Sequence, residues 1–312
     1  MEFEVPAQEG GSRLDVVVAA HVEPPTPRAR IKRWIEDGHV DLDGVVADRP
    51  GLRVRAGARV TARPPAPAPT TALPEPLPLD VLYEDPDVVV VYKPAGLVVH
   101  PSAGHAGGTL VNAVLHRYPW LPGQDPLRPG IVHRLDKDTS GVMVVTRTEL
   151  ARDELGRRFA AHDVERLYWA IVVGNPPDSG TFETLHGRHP TDRKRFSSRV
   201  SRGRRAVTHF RVIERLDGTA LVEARLETGR THQVRVHFAD HGWPLLGDPL
   251  YGRPPREERL RRVGVALGRQ ALHARVLGFA HPRTGERLRF ETAPPPDFMA
   301  ALAALRGASG AP

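Results

Sequence analysis

The chain has 312 residues, enough for one large folding unit and a second small one. With 40% hydrophobic and 26% charged residues it describes a folded protein, and no apolar run approaches the roughly eighteen residues of a membrane span. It contains no cysteine, which excludes disulfides, thiolate nucleophiles and cysteine-ligated zinc, and its formal charge of +7 places a polyanion among the expected partners.

Met1 to Gly10 carries Glu2, Glu4 and Glu9 and lacks a basic-then-apolar pattern, so no signal peptide is expected and a cytoplasmic protein is. Thr26-Pro27 predicts the cap and first turn of a helix in which Ile31, Trp34 and Ile35 recur at helical spacing, with Gly38 past its end. Asp43-Gly44, between Val40 and Val45-Val46, predicts a tight hairpin. On the helix, Arg28, Arg30, Lys32 and Arg33 crowd into six residues with no acid among them, which marks an RNA-contacting face. The stretches Gly11–Asp15, Pro27–Ile31, Glu36–Val40 and Asp43-Gly44 resemble the alpha-L RNA-binding motif of a ribosomal protein, some tRNA synthetases and several rRNA-modifying enzymes. That resemblance implies a small α/β RNA-binding domain over residues 1–63.

Residues 64–79 are proline-rich and predict an extended, semi-rigid linker. The remainder, 80–312, reads as one large domain. Val88 to Val91 signals a buried strand, ended by Lys93-Pro94-Ala95-Gly96. Strand-like runs at Gly141–Val145, Trp169–Val173 and Leu221–Leu226 alternate irregularly with helical ones, which disfavours a doubly wound parallel sheet and indicates α+β. After Pro296 the tail predicts a short apolar helix. Between Arg188 and Arg205 stand eight basic residues against Asp192 alone, including Arg193, Lys194 and Arg195. This tract reads as a loop or mobile hairpin that grips phosphates.

The densest chemical signal is Gly130–Gly141, which gathers Asp136 and Asp138, Arg134 and Lys137, His133, Thr139 and Ser140. Such carboxylates could serve as an acid/base pair, a metal site or a nucleophile. No further cluster of ligands supports a metal, and His237 and His241 have no third partner in sequence. The Asp136-x-Asp138 pattern also resembles aspartyl-phosphate hydrolases, but the additional acids those enzymes need are missing downstream.

His133–Gly141 resembles the signature of the RluA/RluD family of pseudouridine synthases. Lys93–Pro101, Gly108–Ala113, Leu167–Ala170, Thr228–His237, Gly247–Gly252 and Ala271–Ala274 resemble its other motifs, in order. The resemblance implies a mixed, mainly antiparallel sheet around a central cleft. It implies isomerisation of uridine to pseudouridine without a cofactor, with Asp136 as the catalytic carboxylate. It implies that Tyr168 stacks on the base, that Arg230 grips Asp136, and that Arg134 fills the space the base leaves. The appended N-terminal domain points to large-subunit ribosomal RNA, with tRNA as the alternative substrate. No membrane association is expected, and a monomer is.

Overall fold

In the N-terminal unit the helical spacing of apolar residues sets the core directly. The computed structural model describes residues 1–64, 70–102, 105–192 and 194–307. These fall into two compact units, Met1–Ala68 and Pro69–Pro312. The first contains β1 (Glu2–Glu4), α1 (Leu14–His21), α2 (Arg28–Glu36), β2 (Val40–Leu42), β3 (Val45–Val46) and β4 (Arg59–Ala62). The sheet is antiparallel in the order β1-β4-β2-β3. Leu14, Val17 and Val18 of α1 and Ile31, Trp34 and Ile35 of α2 share one core with Val40 and Val60. Asp43 and Gly44 adopt φ of 51° and 81°, the left-handed pair that a two-residue hairpin requires.

One expectation is corrected here, and one feature is added. Thr26 does not cap α2: the helix begins behind Pro27, and the Thr26 hydroxyl donates to the Pro24 carbonyl at 3.0 Å. The basic face does have an acid opposite it. Asp15, fully buried on α1, accepts Arg28 Nε at 2.9 Å and Arg13 Nε at 3.0 Å, with Lys32 Nζ at 4.0 Å. Only Arg30 and Arg33 of the four cations are exposed without an ion pair among the described residues.

The second unit runs β5 (Asp80–Glu84), β6 (Val88–Lys93), α3 (Leu110–Arg117), β7 (Ser140–Thr146), α4 (Glu149–Ala160), β8 (Glu165–Val173), β9 (Ser179–Arg188), β10 (Phe196–Ser197), β11 (Arg204–Leu216) and β12 (Thr219–Leu226). It continues with α5 (Gln233–Asp240), α6 (Glu258–Leu267), β13 (Leu272–Ala280), β14 (Arg287–Glu291) and α7 (Pro296–Arg306). The sheet order is β10-β9-β11-β12-β8-β13-β7-β6-β5, with β14 also on β13. Every pairing is antiparallel except β13 with β7.

Helices α3 and α5 cover one face of this sheet, through Val111, Val114, Val234 and Phe238. On the other face α4 packs through Leu155, and α6 and α7 through Leu260, Leu302 and Leu305. Burial on both faces is why Val88–Val91 reads as an unbroken apolar run. At the parallel joint β7 and β13 approach closely. Gly141 has φ 133°, and a Cβ there would lie 2.1 Å from the Ala274 carbonyl oxygen, so only glycine fits.

The proline-rich stretch does not remain a free connector up to residue 79. Asn112 Nδ2 donates to the Leu73 carbonyl at 2.6 Å, and Glu75 N donates to the Asn112 carbonyl at 3.0 Å. The Glu75 carboxylate accepts Gly108 N–H, and Ala72 joins the core. Residues 65–69 lie outside the described residues. Among those described, no helix is long and apolar enough to cross a membrane.

Candidate active site

Residues 131–139 form an irregular loop that leads into β7, and it is pinned at several points. Leu135 sits in the core, Thr139 N donates to the Asp136 carbonyl at 3.1 Å, and Gly96 N donates to the Lys137 carbonyl at 3.0 Å. Lys93, fully buried at the end of β6, donates to the carbonyls of Pro94, Leu97 and Lys137 at 2.8, 2.8 and 2.9 Å. All three N–H bonds of its ammonium are therefore used, while burial pulls its pKa down to about 7. His133 Nε2 accepts Val144 N–H at 3.1 Å, and its ring stacks on Phe159. Burial, aided by Arg166, lowers its pKa to about 3, so the ring is neutral.

Beyond this loop opens a cavity of about 750 Å³. Arg128, Arg134, Arg166, Arg204 and Arg230 line it, and Asp136 is its one acid among the described residues. Ile131, Leu135, Leu226, Val234 and Leu272 supply apolar wall. Strand alternation on β8 turns Tyr168, 8% exposed, to the cavity side with Arg166, while Trp169 joins the α6–α7 layer. Burial, opposed by Arg166 and reinforced by Asp136, raises the Tyr168 pKa to about 12.

The pairing expected of Arg230 is corrected by the geometry. Arg235 Nη1, rather than Arg230, donates to Asp136 Oδ2, at 3.2 Å. Its Nε and Nη2 hold both oxygens of Asp248 at 2.8 and 2.9 Å. Burial works against the charge of Arg235, but the two carboxylates outweigh it and raise its pKa. Burial likewise disfavours ionised Asp248, and Arg235 reverses that to a lowered pKa. Arg230 sits in the turn before α5, where its N–H donates to Gln233 Oε1 and its Nε to the Arg205 carbonyl at 3.1 Å. Its side chain thus runs toward β11, whereas Arg235 lies within α5, next to the Asp136 loop.

His232 opens α5 with φ 58°, a left-handed conformation rare for a residue with a Cβ. Its Nε2 lies 3.9 Å from Asp136 Oδ1, and its Nδ1 lies 2.8 Å from Tyr251 Oη. Burial lowers its pKa against the opposing pull of Asp136.

The basic tract is not a loose loop. Asp240 on α5 accepts Ser198 N and Ser198 Oγ at 2.8 Å and Ser197 Oγ at 3.1 Å, and Phe196 N donates to Tyr251 Oη at 2.9 Å. Arg195 lies over the Tyr251 ring at 5.3 Å, and Lys194 is exposed. Arg205 is committed to Glu183 and Glu227 at 2.7 and 2.5 Å. Arg193 lies outside the described residues. Arg134 is exposed at the cavity wall and makes no ion pair among the described residues.

Reasoning from sequence passed over Arg235, His232, Tyr251 and the role of Lys93, although all four stand inside the quoted motifs. For Arg235 a signal was available: an arginine flanked by Val234 and Val236 on a short apolar helix demands a carboxylate. His237 and His241 do not form a metal site, since His237 bonds Thr184 and Thr208 and His241 bonds the His237 carbonyl. The one group of potential ligands among the described residues is Asp85, Asp87 and His281. Its carboxylates are already occupied by Tyr83, Thr148, Arg283, His281 and backbone N–H groups.

The family model for RNA pseudouridylate synthase matches residues 87–240, and that for the S4 domain matches residues 12–60, within the stretch that carries the alpha-L resemblance. The chain belongs to the RNA pseudouridine synthase family. It is 43% identical over 308 residues to the ribosomal large subunit pseudouridine synthase D of Pseudomonas aeruginosa, covering 97% of this chain and 95% of that protein. It is 47% identical over 307 residues to the protein of the same name from Xanthomonas campestris pv. campestris, covering 97% and 91%. Among solved structures, human RNA pseudouridylate synthase domain containing 1 superposes with a TM-score of 0.56 at 27% identity, covering 72% of this chain and 87% of that one.

Proposed function

We propose that this RNA pseudouridine synthase modifies uridines in large-subunit ribosomal RNA, with Asp136 as its catalytic carboxylate. One observation carries the reading: among the described residues Asp136 is the only acid in a cleft lined by five arginines, and a buried arginine holds it. The reaction breaks the N1–C1′ bond, turns the base, joins C5 to C1′ and moves the C5 proton to N1, so nothing is oxidised and no group is imported. An ionised carboxylate beside the sugar can attack or stabilise an electron-poor C1′. Arg235 holds and orients the Asp136 carboxylate, and Asp248 in turn keeps Arg235 in place. Tyr168 offers its ring face to the base, and its raised pKa keeps the hydroxyl protonated near neutrality. Arg134, exposed beside Asp136, enters the stack that the extruded base vacates. Arg230 contacts the RNA backbone at the cleft wall rather than the carboxylate.

The relatives named for the ribosomal large subunit support the substrate, and the N-terminal unit and the basic tract supply phosphate contacts. The enzyme acts as a cytoplasmic monomer without a cofactor. The test is pseudouridine mapping by carbodiimide labelling and primer extension in cells with and without the gene. Signals should vanish at discrete large-subunit uridines and return with wild type but not with Asp136→Asn. Loss confined to tRNA would overturn the substrate, and restoration by Asp136→Asn would overturn the assignment of Asp136.

A further inference from the structure

A chain of contacts runs from the basic tract to Asp136 through two residues for which the mechanism above has no use. Tyr251 Oη accepts the Phe196 N–H of β10 at 2.9 Å, so its own proton needs a separate acceptor. Among the described residues the other polar atom in reach is His232 Nδ1, at 2.8 Å. Nδ1 therefore accepts, and the proton of the neutral ring sits on Nε2. That N–H faces Asp136 Oδ1 at 3.9 Å, while Oδ2 is taken by Arg235 at 3.2 Å. The arrangement is tightly held. Tyr251 is 6% exposed, has the guanidinium groups of Arg235 and Arg195 over its ring at 5.1 and 5.3 Å, and donates its backbone N–H to Asp248 at 3.0 Å. Phe196 meets the His232 ring edge-on at 5.8 Å. The left-handed backbone at His232, unfavourable for a residue with a Cβ, persists inside this packing.

We propose that His232 is a positioning residue whose Nε2–H orients the free oxygen of Asp136, and that the seat of β10 on Tyr251 sets this donor. RNA bound along the basic tract thereby reaches the carboxylate without touching it. The gap to Oδ1 exceeds a hydrogen bond by about 1 Å, and it closes when substrate presses the tract onto Tyr251. The proposal rests on Asp136 being the catalytic carboxylate.

The experiment is tritium release from C5-labelled uridine in a transcribed large-subunit rRNA fragment, under single turnover at saturating full-length enzyme, with binding measured by filter retention. Asp136→Asn should release nothing. His232→Ala and Tyr251→Phe should slow the saturated rate by about ten- to a hundredfold while RNA affinity stays within about twofold. His232→Gln, whose amide N–H reaches the same place, should recover most of the loss. The His232→Ala, Tyr251→Phe double variant should be no slower than His232→Ala alone, since both act through one contact. Wild-type saturated rates in His232→Ala and Tyr251→Phe beside an inactive Asp136→Asn would overturn this inference alone, as would losses confined to RNA affinity. Release by Asp136→Asn would overturn the reading beneath it.

Discussion

Arg235 commits three of its five N–H donors to two carboxylates, and the division assigns each a different purpose. Asp248 is fully enclosed and takes a bidentate grip, while Asp136 opens to the cavity and takes one bond. Removing Arg235 strands a buried carboxylate, so Arg235→Ala should lose about 3–5 kcal/mol of stability, read from the denaturant midpoint. Asp136→Asn leaves the Asp248 pair intact and should stay within about 1 kcal/mol of wild type. Equal losses in the two variants would contradict this division of labour. Lys93 makes a second case. Lys93→Met leaves the Pro94 and Leu97 carbonyls without a donor, while the Lys137 carbonyl keeps Gly96 N–H, and should cost at least about 2 kcal/mol in the same measurement. At this scale the sequence displayed Asp136, because its neighbours concentrate charge where strands should be apolar. It did not display Arg235 as the partner, because Arg230 and Arg235 stand in one motif and only the phase of α5 separates their directions.

Among the elements, the tract around β10 shows how misleading a charge count can be. Eight cations in sequence read as a uniform phosphate grip, but Arg205 is neutralised by Glu183 on β9 and Glu227 just past β12, and Arg199 is spent on the Asp240 carbonyl. Lys194, Arg202 and Arg204 remain exposed and make no ion pair among the described residues. Replacing these three by alanine should flatten the dependence of log affinity on log salt by about 2, whereas Arg205→Ala should leave the slope near wild type. Fluorescence anisotropy with labelled rRNA across a salt series checks both, and an equal change in the two variants would refute the distinction. The strands and turns themselves were legible in sequence: the Asp43-Gly44 hairpin, the Val88–Val91 strand and the helix after Pro296 all appear. The docking of the tract was not, because its anchors, Asp240 and Tyr251, lie more than forty residues away.

Across the whole molecule, buried neutral histidines set the acid limit. Burial lowers the pKa of His133 and His237 to about 3 and of His100 and His273 to about 4, from 6.5. The unfolded chain takes up protons that the folded chain refuses. The histidines therefore cost nothing above about pH 6.5 and lower stability below it, by up to about 1.4 kcal/mol per pH unit each. Thermal melts should show a midpoint at least about 5 °C lower at pH 5 than at pH 7. A flat profile would mean that these rings are not sealed from water.

The parallel joint between β7 and β13 has a consequence for biosynthesis. Ser140 of β7 bonds His273 of β13, a separation of 133 residues, and Asp136 meets Arg235 across 99. A ribosome must therefore have released nearly the whole chain before the cleft exists, and the emerging N-terminal strands wait without their sheet partner. While that wait lasts, the nascent enzyme cannot modify RNA, including the RNA of the ribosome that is making it.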